Sequence, residues 1–156
     1  VVKSRVFRRR WIAVLYTYLT FLEYWFQALC CVGSRKLAGR SLICDRYVGD
    51  AVADLAYNYG CDRDGIAKML RNLILRVYPR PEQTVYLRIS AETSASRKDD
   101  PNVPSIEYLR ERVWVYDTLA EIEGYAVVNG EQPPEEVYQD ILQALEARLE
   151  SAGGIR

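Results

Sequence analysis

The sequence predicts an α/β domain built on a parallel sheet with flanking helices. Three short apolar runs have the length of strands, and segments with helical periodicity separate them. The runs lie at residues 41–44, 84–89 and 125–129. A length of 156 residues suits one domain, and a hydrophobic content of 49% is ample for a packed core. We therefore expect a single domain whose strands are covered by helices.

Composition excludes several classes of function. Lys plus Arg and Asp plus Glu are balanced at 21 each, so no overall field attracts a nucleic-acid polymer or an acidic membrane. The sequence has no His, which removes Ser/His triads and His-ligated zinc. The cysteines at positions 30, 31, 44 and 61 form no CxxC pair and lie mostly in apolar runs. We expect them to be reduced, buried thiols of a cytoplasmic protein.

Residues 11–32 form an apolar run with basic residues on both sides, long enough to span a bilayer. Glu23 would then lie near the midplane at a cost of several kcal/mol, and aromatic residues crowd the middle of the run. A helix buried on most sides of a domain explains the same pattern. We expect that buried helix, and a membrane-anchored protein is the alternative. Because the chain starts at Val1 without a Met or a signal pattern, we also expect its natural N-terminus to lie upstream.

The first half of the chain alternates helix and strand. The helix in the apolar run should end near Leu37, because basic residues would occupy its last turn and Gly39 follows. A strand at 41–44 comes next, and then a helix at 48–59 that Gly60 stops. The following helix, which prolines at 79 and 81 end, has an apolar face made of Ile66, Met69, Leu70, Leu73, Ile74 and Val77.

The second half continues this alternation. Its predicted elements are a strand at 84–89, a helix at 91–98, a polar loop at 99–104, a helix at 105–123, a strand at 125–129 and a last helix opened by Pro134. The helix at 105–123 should bury Leu109, Val113, Tyr116 and Ala120, and Gly124 should end it. The last helix should bury Val137, Ile141, Leu145 and Leu149. Residues 153–156 are predicted to fray.

Asp45 and Arg46 follow the predicted strand 41–44 without a spacer. They would therefore lie at its carboxyl end, which is the edge where open α/β sheets bind ligands. An Asp can orient a metal-bound water or a hydroxyl, and an Arg can bind a phosphate with two parallel hydrogen bonds. An ion pair that caps the strand end explains the same two residues, and the residues alone leave both interpretations open.

Four segments in order and spacing resemble one family. They are Gly39 followed by SLICDRY, then TVYLRISAETSASRK, IEYLRERVWVYDTLAE and YAVVNGEQPPEEVYQDILQAL. From about Leu15 to Leu149 the chain resembles the thymidylate kinase family of nucleoside-monophosphate kinases. The resemblance implies a P-loop kinase-like fold of three α/β/α layers. It also implies transfer of the terminal phosphoryl group of ATP to a nucleoside monophosphate, with Mg²⁺. A homodimer is compatible with the resemblance.

The resemblance assigns roles on the acceptor side. Asp45 and Arg46 match a pair that holds the acceptor phosphate, with Asp45 also helping to place the metal indirectly. Tyr47 continues this acceptor-binding motif. Phe21 matches an aromatic that stacks on the acceptor base, whereas the residues alone favour one more core aromatic.

It also assigns roles on the ATP side. Arg97 and Lys98 fall where the family's lid begins, and cations there would cover the ATP phosphates as charge moves in the transition state. Asp99 and Asp100 follow at once and could neutralise them, so a solvated turn is the alternative. Tyr116 fits a tyrosine of the family, while its helical period favours a place in the core.

Two departures concern the acceptor pocket. Trp25 stands four residues after Phe21, where the family carries an arginine that reads the pyrimidine, and an indole cannot replace a guanidinium fork. Asp50 stands where the family usually has a serine, which makes the pocket more acidic. These two departures put thymidine monophosphate in question as the acceptor. They do not affect the expectation of phosphoryl transfer.

A third departure concerns the phosphates of ATP. The sequence contains no GxxxxGK[ST], whose backbone amides, Lys and hydroxyl would cradle the phosphates and magnesium. We therefore expect residues 1–152 to be the acceptor-site and lid portion of a P-loop nucleotide kinase, inactive alone, with the P-loop upstream. The alternative is a non-catalytic relative that keeps the fold as an interaction module.

Overall fold

The computed structural model describes residues 10–72, 78–97 and 104–153. It divides into two compact units, one ending at Arg80 and one beginning at Pro81. The described part is mainly helical, with a small parallel sheet of two strands in the second unit. This composition is compatible with an α/β fold.

The first unit contains only helices among its described elements. They are α1 (Arg10–Gln27), a π-helical segment (Ala28–Gly33), α2 (Ser34–Leu37), α3 (Val48–Tyr59) and α4 (Arg63–Leu70). The predicted helix end at Leu37 is confirmed, and Gly39 follows in the left-handed region with φ 67°. The π-helical segment was not predicted. The prediction of one helix that continues to the prolines is wrong, because α4 ends at Leu70. Residues 73–77, which include part of the predicted apolar face, lie outside the described residues.

Helix α3 forms the core of the first unit. Its buried residues are Ala51, Val52, Ala53, Leu55 and Ala56. Ile66 of α4 is fully buried as well, and the two helices contact each other. The predicted end at Gly60 is confirmed by its left-handed φ of 60°. Asp62 begins α4, because its side chain accepts a hydrogen bond from the Gly65 amide at 2.8 Å.

The prediction of a strand at 41–44 is wrong for this structure. Residues 40–44 have no regular secondary structure, and Ile43 is 95% exposed. A strand is defined by the neighbour with which its backbone pairs. Within the described residues the sheet contains only the two strands of the second unit, so this apolar run has no ladder partner.

Helix α1 is less buried than predicted. Large side chains along it are exposed, namely Val14, Leu15, Tyr16, Tyr18, Leu19, Leu22 and Phe26. The helix does contact α3, and Trp25 is partly buried. The expectation of a helix buried on most sides is therefore wrong.

The membrane alternative finds no support. Among the described helices, none combines the length and the apolar character that a bilayer crossing requires.

The cysteines are free thiols, but the prediction that they are buried is wrong. Cys30, Cys31 and Cys44 are exposed, and Cys61 is half-buried. Cys30 and Cys31 lie in the π-helical segment and Cys44 in the unpaired run, so the exposure of these segments exposes the thiols.

The second unit is an α/β arrangement. Its elements are β1 (Val85–Arg88), α5 (Ala91–Ser96), α6 (Ile106–Glu123), β2 (Ala126–Asn129) and α7 (Pro134–Gly153). The strands pair in parallel, with Val85 opposite Ala126 and Arg88 opposite Asn129. Both predicted strands are confirmed within two residues at each end. Gly124, with φ 69°, ends α6 as predicted.

The core of the second unit lies between the sheet and α6. Leu109, Val115, Leu119 and Ala120 of α6 are buried, as is Val128 of β2. The predicted apolar face of α6 is therefore only half right. Leu109 and Ala120 are buried, whereas Val113 and Tyr116 are partly exposed.

On α7 the predicted face is not fully covered. Val137 and Ile141 are half-buried, whereas Leu145 and Leu149 are exposed. Helix α7 begins after the loop that follows β2, and it contacts this strand.

Candidate functional site

Arg46 occupies the bend that leads into α3. Its φ is 62°, and it is the one non-glycine residue with a left-handed backbone in the described part of the chain. The guanidinium is 81% exposed, and its Nε lies 3.6 Å from Oδ2 of Asp50. Asp50 lies in the first turn of α3, where the helix dipole favours a carboxylate. The structure thus brings two predicted acceptor residues together and presents the guanidinium to solvent.

The energetics of this bend do not favour Arg46 for stability. A left-handed backbone costs a non-glycine residue about 1–2 kcal/mol. An exposed ion pair contributes about 0–1 kcal/mol, and the 3.6 Å separation here is long. The ion pair alone does not offset this cost, and strain of this kind is concentrated at functional sites.

Tyr47 anchors the same bend. Its hydroxyl donates a hydrogen bond to the Pro79 carbonyl at 3.0 Å, and its carbonyl accepts from the Asp50 amide at 3.0 Å. Burial raises the pKa of Tyr47, and the nearby Cys44 adds to the rise. Because the hydroxyl is committed to the backbone, Tyr47 fixes the position of its neighbour Arg46.

Asp45 is exposed in this bend. Nowhere in the described ranges do three or more Asp, Glu or Cys side chains form a group that could hold a metal ion. The structure therefore offers Asp45 no direct metal site among these residues, and the predicted role was an indirect one.

Phe21 and Trp25 lie about one turn apart along α1. The side chain of Phe21 lies outside what the structure describes. Trp25 is half-buried, and its Nε1 is buried without a hydrogen-bond partner among the described residues. Leaving such a donor unsatisfied costs about 1–3 kcal/mol. A shallow depression at this point is lined by Leu19, Leu22, Glu23, Trp25 and Phe26.

Arg97 ends α5 in the second unit. Its Nη2 donates a hydrogen bond to the Gly130 carbonyl at 3.1 Å. Lys98 and the two aspartates that follow lie outside the described residues. Arg97, the first residue of the predicted lid, therefore contacts the loop that follows β2.

Glu131 was missed by the sequence analysis. Its Oε1 accepts hydrogen bonds from the Ser90 amide at 2.9 Å and from Oγ1 of Thr93 at 2.8 Å. Hydrogen bonds from Ser90, followed by the one from Thr93, lower the pKa of the Glu131 carboxyl to about 2. The signal that could have found it is positional, because Ser90 and Glu131 each follow the carboxyl end of a parallel strand.

Tyr116 is only partly buried, although its helical period predicted a place in the core. Its ring stacks on Tyr86 of β1, with centroids 5.7 Å apart and an angle of 22° between the planes. One residue further along α6, the Asp117 carboxylate accepts two hydrogen bonds from Arg88, both at 2.9 Å. Together these contacts join α6 to β1, which gives Tyr116 a structural role in this unit.

The parallel strands β1 and β2 are separated in sequence by α5 and α6, and polar side chains follow the carboxyl end of each strand, which is the edge where open α/β sheets bind ligands. Among curated proteins, the chain is similar to two thymidylate kinases. It is 26% identical over 110 residues to the thymidylate kinase of Coprothermobacter proteolyticus. This alignment covers 67% of the present chain and 56% of the relative. The chain is 26% identical over 123 residues to that of Bacillus cytotoxicus, which covers 72% and 58%.

These matches indicate a distant relationship to thymidylate kinases. The chain spans little more than half the length of the two relatives. No family model matches it, and no solved structure matches it significantly.

Proposed function

We propose that the protein is a nucleotide kinase that transfers the terminal phosphoryl group of ATP to a nucleoside monophosphate. In this proposal the 156 residues supply the acceptor-phosphate site and the start of the lid. The observation that carries the proposal is the strained, exposed Arg46 in the DRY bend at the start of α3. The distant relationship to thymidylate kinases supports it.

Arg46 has the chemistry for an acceptor phosphate. A guanidinium binds a phosphate through two parallel hydrogen bonds, which fixes the orientation of the phosphate as well as its position. Asp50 restrains the side chain from one side, and Tyr47 holds the backbone through Pro79. A phosphate held in this way presents its oxygen for attack in one orientation, which is what positional catalysis requires.

The residues present do not fit ATP and Mg²⁺ by themselves. The sequence has no GxxxxGK[ST], and the described residues contain no group of three metal-ligating side chains. We therefore propose that the phosphate loop is provided by a part of the protein outside these residues. The chain's own contribution is to bind and orient the acceptor.

The acceptor is proposed to be a nucleoside monophosphate without a strong preference for thymidine monophosphate. Trp25 offers a single N–H donor where a guanidinium fork would read the base. A site that lacks the polar reader loses most of its discrimination between acceptors.

The experiment compares Arg46→Ala, Arg46→Lys and the control Arg40→Ala in the full-length protein, with a panel of nucleoside monophosphates. Arg40 is an exposed arginine of the same loop. We expect Arg46→Ala to lower kcat/KM by about 100-fold or more, because it removes an oriented charge contact. Arg46→Lys should recover only part of this loss, since an ammonium is not bidentate. Arg40→Ala should match the wild type.

Thermal melts of the same variants separate function from stability. Ala retains the backbone strain of position 46, so the Tm should barely change. An Arg46→Ala protein with normal activity and a lower Tm would show that Arg46 is a structural ion-pair partner. Absence of transfer to every monophosphate by the wild type would favour the interaction module instead.

A further inference from the structure

Helix α5 is held at both ends by two consecutive residues of the loop that follows β2. At its start, Glu131 accepts hydrogen bonds from Ser90 and Thr93, at 2.9 and 2.8 Å. At its end, Arg97 donates to the carbonyl of Gly130 at 3.1 Å. The loop therefore fixes both the position and the direction of a helix that spans only Ala91–Ser96.

The loop is itself held against the end of β1. The Gly130 amide donates to the Arg88 carbonyl at 2.8 Å, and the Glu131 amide donates to Oδ1 of Asn129 at 3.1 Å. A Cβ at Gly130 would lie 2.8 Å from Cγ2 of Ile89 and 3.2 Å from the Arg88 carbonyl, so a neighbour would have to shift for any other residue to fit. The backbone of Glu131 is thus held in place by this loop.

A carboxylate suits this position for two reasons. It satisfies the Ser90 amide, one of the amides at the helix start that no carbonyl within the helix can reach. Its negative charge also attracts Arg97, and this attraction is one of the causes that keep the pKa of Glu131 low. The same side chain therefore stabilises the start of α5 and favours the docked position of the guanidinium at its end.

We infer that Glu131 is a positioning residue that fixes α5 and, through it, the position of Arg97. The inference rests on the proposed function, in which Arg97 covers the phosphates of ATP. Glu131 itself acts through the helix and is not assigned a contact with substrate. Its loss should therefore affect the use of ATP and leave acceptor binding unchanged.

The experiment uses Glu131→Ala, Glu131→Gln and the control Glu146→Gln in the full-length protein. Glu146 is an exposed carboxylate on α7. We expect Glu131→Ala to raise hydrogen exchange at the Ser90 amide about 10-fold or more, because its acceptor is lost. It should lower kcat/KM for ATP about 10-fold or more, with the KM of the acceptor unchanged. Glu131→Gln retains an acceptor oxygen, so it should recover part of both effects. The control should change neither.

Failure of the inference differs from failure of the proposed function. Normal exchange at Ser90 in Glu131→Ala would overturn the inference, and so would faster exchange with unchanged kcat/KM for ATP. If the wild type transfers no phosphate, the proposed function fails. Nitrogen relaxation of the Arg97 guanidinium then decides the inference. Increased motion in Glu131→Ala, but not in Glu146→Gln, supports it, and unchanged motion overturns it.

Discussion

Tyr86 lies on β1 against Tyr116, with Arg88 and Asp117 close by. Burial raises the pKa of Tyr86 from 10.0 to about 12, and the Asp117 charge acts in the same direction. Because the folded protein holds this proton more tightly than the unfolded chain, Tyr86 contributes stability that is complete below about pH 10. This contribution is lost as the pH rises towards about 12.

We therefore predict that the free energy of unfolding falls less steeply above about pH 10 in Tyr86→Phe than in the wild type. Phe retains the stacked ring and has no ionisable group. Denaturant melts across this range measure the slope, and Tyr138→Phe serves as the control because Tyr138 is exposed. Equal slopes in the wild type and Tyr86→Phe would mean that Tyr86 ionises without cost in the folded protein.

The sequence could predict which residues belong to the candidate site, one position at a time. Arg46 and Asp50 were both assigned to the acceptor site from the resemblance, and Nε of Arg46 lies 3.6 Å from Oδ2 of Asp50. The left-handed backbone of Arg46 was not predicted, because it depends on how Tyr47 is anchored to Pro79. Glu131 was missed for a similar reason, since its partners lie about 40 residues away along the chain.

At the scale of elements, the loop after β2 depends on the absence of a side chain at Gly130. An added Cβ would lie 2.8 Å from Cγ2 of Ile89 and 3.2 Å from the Arg88 carbonyl. Neither neighbour can move freely, because that carbonyl accepts the Gly130 amide and the Ile methyl is β-branched. We predict that Gly130→Ala lowers the free energy of unfolding by about 1–3 kcal/mol.

A chemical denaturation curve measures this loss, with Gly33→Ala as the matched control. Nothing lies within 4 Å of a Cβ at Gly33, which is in a helical segment, so the control should be neutral or slightly stabilising. If Gly130→Ala were as stable as the wild type, the loop would be free to shift. It could then not provide a rigid base for Glu131.

The ends of α3 and α6 were predictable because the signals that mark them are local. Gly60 and Gly124 adopt the left-handed backbone that ends a helix, and Ser105 accepts the hydrogen bond that begins α6. The run at 41–44 has an equally clear apolar pattern, yet it forms no strand. Strand formation depends on a neighbour elsewhere in the fold, which a local pattern cannot supply.

At the scale of the whole molecule, large apolar surfaces remain uncovered. Leu37 and Ile43 are almost fully exposed, and one side of α1 exposes a row that includes Leu19, Leu22 and Phe26. Burial of apolar surface is the main favourable term in folding, and exposed patches of this kind promote association. In the proposed kinase, the strand that carries the phosphate loop would pair with residues 41–44 and cover that apolar run.

We therefore predict that the 156 residues expressed alone are prone to aggregate, melt without cooperativity and are not stabilised by ATP with Mg²⁺. An N-terminal extension that supplies a βαβ unit, roughly 30 residues or more, should restore a cooperative melt and nucleotide binding together. The reason is that one added unit both pairs with the apolar run at 41–44 and delivers the phosphate loop. ATP at about 100 times its Kd should then stabilise the extended protein by about 2.7 kcal/mol.

Thermal melts of the two proteins, each with and without ATP and Mg²⁺, test this prediction directly. The most informative outcome is the melt of the 156-residue chain, because its sequence has no GxxxxGK[ST]. A sharp transition that ATP shifts upward would mean that these residues build a phosphate site of their own, and the proposed division between donor and acceptor parts would be wrong. A sharp transition that ATP leaves in place would instead show that the apolar run at 41–44 needs no partner strand.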